Sequence, residues 1–128
     1  MRYEDWPVRM EEAISRHEGK AFRYGRFDCV IFCADVIEAM TGVYPHSFSY
    51  RNKAEAEAIF AEHGSLESIV DTLFERKLPK AAQRGDLVMV EQDGGSLGIC
   101  VGSRVVLPAR PEGIARLPMR EVIAAWSV

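Results

Sequence analysis

Three cysteines and three histidines are the residues of this 128-residue chain most able to do covalent chemistry. Cys29 is the best placed of them. Asp28 stands before it as a candidate N-cap, and Cys29, Phe32, Cys33, Val36, Ile37 and Met40 recur at helical spacing. Val30, Ile31 and Ala34 fill much of the remaining surface, and Gly42 supplies a C-terminal stop. The spacing therefore predicts a buried helix with a thiol in its first turn. Unpaired backbone N–H groups and the positive end of the helix dipole both favour thiolate there, which is a geometry for a nucleophile. The competing reading is a small apolar residue packed at a helix start.

A thiol nucleophile needs a base within hydrogen-bond reach. His17 ends the first predicted helix, and His63 precedes the helix-stopping Gly64. His46 lies in the loop after the Cys29 helix, and such a loop can fold back onto the helix N-terminus. It is the candidate base, against the alternative of a surface loop histidine. Tyr24 is a candidate for a hydroxyl in the cleft, or an aromatic packed before the core helix. Asp28 is most simply a cap; as an electrostatic neighbour it would oppose thiolate formation. Asp86, in a Gly-Asp turn, is expected to hydrogen-bond the turn backbone. Cys29, Cys33 and Cys100 would suit a soft metal only if they gathered, and they lack the close pairing of zinc sites. No metal or cofactor is predicted.

These residues must be positioned by a single domain, since the chain is long enough to bury a core without disulfide staples. Hydrophobic residues make up 48% and the net charge is −3, with no basic cluster to bind nucleic acid. No apolar run approaches the length of a membrane span. Met1-Arg2-Tyr3-Glu4-Asp5 lacks the basic-then-apolar form of a signal peptide. The odd cysteine count without a CxxC pair suits free thiols in a reducing compartment.

Asp5-Trp6-Pro7 opens a first helix, with Asp5 able to cap, and Gly19 ends it. Trp6 is expected against the core. Phe22 to Phe27 is an aromatic loop, and Val43 to Tyr50 an ordered one. Asn52 and Glu55 form a capping box for a helix running to Gly64. Ser65 caps another that ends before Pro79. The period then changes. Strands are predicted at Leu87–Val90, Ser96–Val101, Arg104–Leu107 and Ile114–Leu117, with Asp93-Gly94-Gly95 as a hairpin turn. Met119 to Trp126 reads as a last short helix or turn. Helices first and a strand meander afterwards indicate an α+β fold, with N-terminal helices packed on one face of a small antiparallel sheet.

Tyr24-Gly25-Arg26-Phe27-Asp28-Cys29 resembles the motif that carries the catalytic cysteine of NlpC/P60 cell-wall peptidases. Those are papain-like enzymes with the nucleophile at a helix start. Arg84-Gly85-Asp86-Leu87-Val88 is similar to the turn that opens their sheet. Leu97-Gly98-Ile99-Cys100-Val101-Gly102 resembles the next strand, which begins with His in active members. The whole chain is similar to a small DUF6950-like group of phages and prophages, associated with tail genes, which shares the Leu-Gly-Ile-Cys strand and an Ala-Trp pair such as Ala125-Trp126. The resemblance implies a papain-like NlpC/P60 fold over residues 1–128, with Leu97 at the vestigial position of the base. It implies a structural component of a phage tail tip or baseplate, partnered by other tail proteins and located in the virion after assembly in the host cytoplasm. The alternative it leaves open is an active cysteine peptidase or amidase acting on peptidoglycan stem peptides. A host-derived binding module is a third reading.

Overall fold

The computed structural model describes residues 1–128. Its centre is helix α2, Cys29–Thr41, whose apolar circumference leaves it no solvent face of any width. Asp28 caps it, accepting the Ile31 N–H at 2.9 Å. Gly42 closes it in the left-handed conformation at φ 83°, with its N–H on the Glu38 carbonyl. A Cβ at Gly42 would run into the Tyr3 hydroxyl, so the N-terminal segment crosses here on glycine alone.

Helix α1, Trp6–Arg16, buries Met10, Ala13 and Ile14 and packs against α2. Asp5 occupies its N-cap position but accepts no backbone N–H there; the carboxylate is drawn away to Arg9 at 2.7 Å. Helix α3, Lys53–Glu62, has the expected Asn52 cap on the Glu55 N–H. The reciprocal arm of the capping box is displaced by one residue, because Glu55 takes the N–H of Arg51. Helix α4, Leu66–Leu73, is capped by Ser65.

The sheet is antiparallel and six-stranded, in the order β1-β6-β2-β3-β4-β5. Its strands are β1 Glu75–Lys77, β2 Leu87–Val90, β3 Ser96–Cys100, β4 Arg104–Pro108, β5 Ile114–Pro118 and β6 Val122–Ser127. Two features correct the sequence reading. Helix α4 ends before Pro79 as expected, but the residues directly after it form a strand, β1, that the sequence did not announce. The segment read as a last helix or turn is a single 3-10 turn, Met119–Glu121, followed by β6, which enters between β1 and β2. A short apolar run carries no decisive period, and β6 places buried residues on both faces, so it lacks the alternation that identifies a half-buried strand.

One sheet face carries Leu87, Met89, Leu97, Ile99, Val106, Ala124 and Trp126 into the main core with α1, α2 and α4. The other holds a smaller cluster built on Val88, Val90, Cys100 and Val105, covered by Ala82, Leu117 and Met119. The fold is thus α+β with the helices on one face. Trp126 is wholly buried and donates Nε1–H to Asp71 at 2.8 Å. It is a core residue and not an exposed anchor. Trp6 is half-buried beneath the Arg2 guanidinium.

Candidate functional site

Cys29 sits on the floor of a cleft of about 280 Å³. The inner face of α3, the Phe22–Tyr24 segment, the β2–β3 turn and the end of β4 form its walls. A rule of main-chain bonding opens the sheet here. β3 and β4 pair at Ile99–Val106 and Cys100–Val105. The next ladder rung toward the cleft would join Leu97 to Pro108, and proline has no N–H to give. Cys100 exchanges its own main-chain bonds with Gly85 and Asp86 on the far side. By strand alternation the N–H and C=O of Leu97 therefore face the gap. Against the larger rise from burial, the Leu97 backbone lies close enough to the Cys29 thiol to draw its pKa down.

The thiol lies in competing fields. Burial pushes it up, to about 11, against backbone N–H groups of Leu97, Val30 and Cys29 itself, while the Asp28 charge adds to the rise. The helix-terminus argument for a thiolate is overturned, because desolvation of the anion outweighs the aligned N–H groups. Cys33, one turn on, is raised well above the ordinary range, chiefly by burial and then by Cys29.

The sequence-proposed partners do not converge on the sulfur. Asp28 is 2% exposed. Its carboxylate takes the N–H groups of Gly25 and Ile31 and the Tyr50 hydroxyl at 2.8–2.9 Å, so it is a cap and a loop clasp. Tyr24 does line the cleft, and its hydroxyl accepts from Arg110 at 2.8 Å. His46 does not line it. The imidazole borders a separate apolar pocket between α2 and α4 that it shares with Leu97 and Cys33. Phe60 and Leu66 wall both spaces. His17 lies 3.2 Å from both Asp35 and Lys20, and His63 bonds the Ile59 carbonyl on α3. Cys100 belongs to the cluster on the opposite face of the sheet from Cys29 and Cys33, so the three thiols do not gather. No group of three or more His, Cys, Asp or Glu side chains is placed to hold a metal ion.

Two residues at and beside the cleft escaped the sequence reading: Arg110, which lines it, and Tyr50, which is buried behind it against Asp28. Arg110 lies over the Phe22 ring at 4.4 Å and pairs with Asp93 at 3.5 Å. Asp93 sits at φ 54°, the single non-glycine residue in the left-handed region. The loop after β4 was legible as a loop, but nothing in its composition tells that Arg110 folds back onto Phe22 and Tyr24. Tyr50 was equally hidden, a buried tyrosine in a Pro- and Ser-containing segment whose hydroxyl is held protonated by burial and by Asp28. With its charges paired along the walls and a neutral thiol below, the cleft can bind. It holds no imidazole to shuttle a proton.

Fold and site together define an α+β domain with a cysteine at the head of a buried helix, facing a cleft where an antiparallel sheet parts. The chain belongs to the family described as Domain of unknown function (DUF6950), whose model matches residues 1–128. No curated protein matches it. No helix is long and apolar enough to cross a membrane.

Proposed function

We propose that this chain is a catalytically silent domain of papain-like, NlpC/P60 type, serving as a structural component of a phage tail tip or baseplate. The observation that supports silence is what meets the Cys29 sulfur: the backbone of Leu97, and no imidazole. A cysteine peptidase step needs a proton acceptor for the thiol and a donor for the leaving amine, and leucine is neither. A half-buried thiol raised to about 11 carries almost no thiolate at neutral pH. The tail assignment is supported by the sequence resemblance.

The test is a pH titration of Cys29 alkylation beside an assay on muropeptides. Silence requires reactivity rising only above about pH 8.5, the range of a free thiol, with no Cys29-dependent cleavage. It also requires phage particles carrying Cys29→Ala to assemble normally. Cleavage that vanishes in Cys29→Ala, or a defect in assembly from that variant when well folded, refutes it. The open cleft over Cys29 is what favours the second reading, a peptidase on peptidoglycan stem peptides whose base comes from another chain.

A further inference from the structure

His46 Nε2 is the one buried side-chain nitrogen or oxygen in the protein without a hydrogen-bond partner. Its ring partner atom, Nδ1, accepts the Phe48 N–H at 3.1 Å. The lone pair is thus on Nδ1, and Nε2 carries the proton of a neutral imidazole. That N–H is sealed beside a pocket whose lining is almost wholly apolar. The ring stacks on Phe48 at 5.7 Å and meets Tyr44 at a tilt, with centroids 5.1 Å apart.

The segment that carries it is lightly held. Residues 43–50 belong to no helix or strand, and no backbone–backbone hydrogen bond ties them to the rest of the chain. Three cavities flank the segment, of about 40, 350 and 470 Å³. Its fastenings are the Thr41 hydroxyl on the Val43 backbone at one end, the Tyr50–Asp28 bond at the other, and the aromatic contacts around His46 between them. Beneath it runs an apolar groove lined by Val30, Cys33 and Ile37 of α2 and Ile69 and Val70 of α4.

We propose that residues 43–50 form an acid-released strap, latched over the α2–α4 groove by neutral His46 and freed when that ring takes a second proton. Protonation turns Nδ1 into a donor facing the Phe48 N–H, so the latch bond is lost and a cation is left in an apolar setting. From α2, the Asp28 and Asp35 charges favour the cation, but burial outweighs them and the ring is shifted down from 6.5. From the strap itself comes the Tyr44 hydroxyl, and from the end of α3 comes His63, edge-on to Phe48 at 5.3 Å. The α4 side offers the uncharged Ser68, Ile69, Thr72 and Leu73. The sign follows: a depressed histidine stabilises the closed strap above 6.5 and loses that contribution as pH falls below it.

Nitrogen-15 NMR of the ring, with amide exchange and dye binding by the full chain, tests this. At about pH 7.5 the proton should sit on Nε2. On acidification the protection factor of the Phe48 amide should fall by up to about tenfold per pH unit from 6.5 down to the lowered His46 midpoint, and level off below it. Signals of residues 43–50 should move with the same midpoint, and binding of an apolar dye should rise. His46→Phe keeps the stack without the titration and should abolish this transition while leaving a lower one from His17. A proton on Nδ1 at neutral pH overturns the proposal without recourse to any variant. So does titration of His46 with an unmoved strap, or an unchanged transition in His46→Phe.

Discussion

Two buried carboxylates, Asp28 and Asp86, are each 2% exposed and each gather several donors, yet they do different work. Asp28 is met by neutral groups alone: two backbone N–H groups and the Tyr50 hydroxyl. Its charge is left without a cation, and Cys29 next to it feels that charge. Asp86 is met by Lys77 at 2.7 Å and Arg2 at 3.3 Å, besides the N–H groups of Gln83 and Val128. It draws the first and last strands of the chain and both chain ends to one point. A carboxylate satisfied by dipoles shapes a loop and tunes a neighbour, whereas one satisfied by cations joins distant parts of the sequence.

The largest effect expected from breaking this contrast is at Asp86. Asp86→Ala strands two cations and should cost about 4 kcal/mol in denaturant unfolding, since removing one partner of a buried pair leaves the other uncompensated. Asp28→Ala removes a cap and orphans the Tyr50 hydroxyl and the Gly25 N–H, for about 3 kcal/mol by the same measurement. Asp28→Asn removes the charge but turns one accepting oxygen into an N–H₂ donor facing a backbone N–H of Gly25 or Ile31. It should cost about 2 kcal/mol, while alkylation of Cys29 begins at lower pH. An unchanged alkylation profile would mean that the Asp28 charge does not reach the thiol.

The acid limb of stability sharpens the comparison last, because near neutrality its effect vanishes. His17 is 5% exposed between Phe27 and Phe32. An ammonium has no acceptor, so Lys20 must donate to its Nδ1 and the ring is neutral, with Nε2–H on Asp35. Burial first, then Lys20 and Arg16, holds it down to about 4 from 6.5. Its stabilisation is full above 6.5 and drains away as pH falls toward 4. Thermal unfolding of His17→Gln across that window should show a flatter acid limb than the wild type. An equally steep limb would place the acid sensitivity elsewhere.

Local signals carried much of the fold. Asp28, Asn52 and Ser65 each announce a helix start by a side chain that bonds a backbone N–H three residues on, and all three do so. Strands β2 to β5 lie between turn residues that sequence alone marks. What failed was non-local. Glu75-Arg76-Lys77 has no strand character in its side chains and is extended because β6 lies beside it. β6 in turn sends buried residues to both faces, Val122 and Ala125 to one and Ala124 and Trp126 to the other, so no clean alternation marks it. In the site, Cys29 and its cap were legible; Leu97 entered as an expectation of the family resemblance, and its backbone lies beside the thiol. The rise of the thiol was not, because desolvation depends on neighbours far apart in the chain. Pro108 was visible as a residue, but its role depends on a register that only the sheet supplies.

The position of β6 has a consequence for how the chain reaches this state. A strand made of residues 122–127 pairs with residues 75–77 on one side and 87–90 on the other. Until those residues leave the ribosome, β2 holds an unpaired edge and the Trp126 site in the core stays open. Assembly of the sheet is therefore deferred to the last segment, with long loop closures to complete before it is rewarded. During synthesis the half-built sheet offers that edge to any strand nearby, which makes the waiting nascent chain, more than the finished domain, the form most exposed to aggregation.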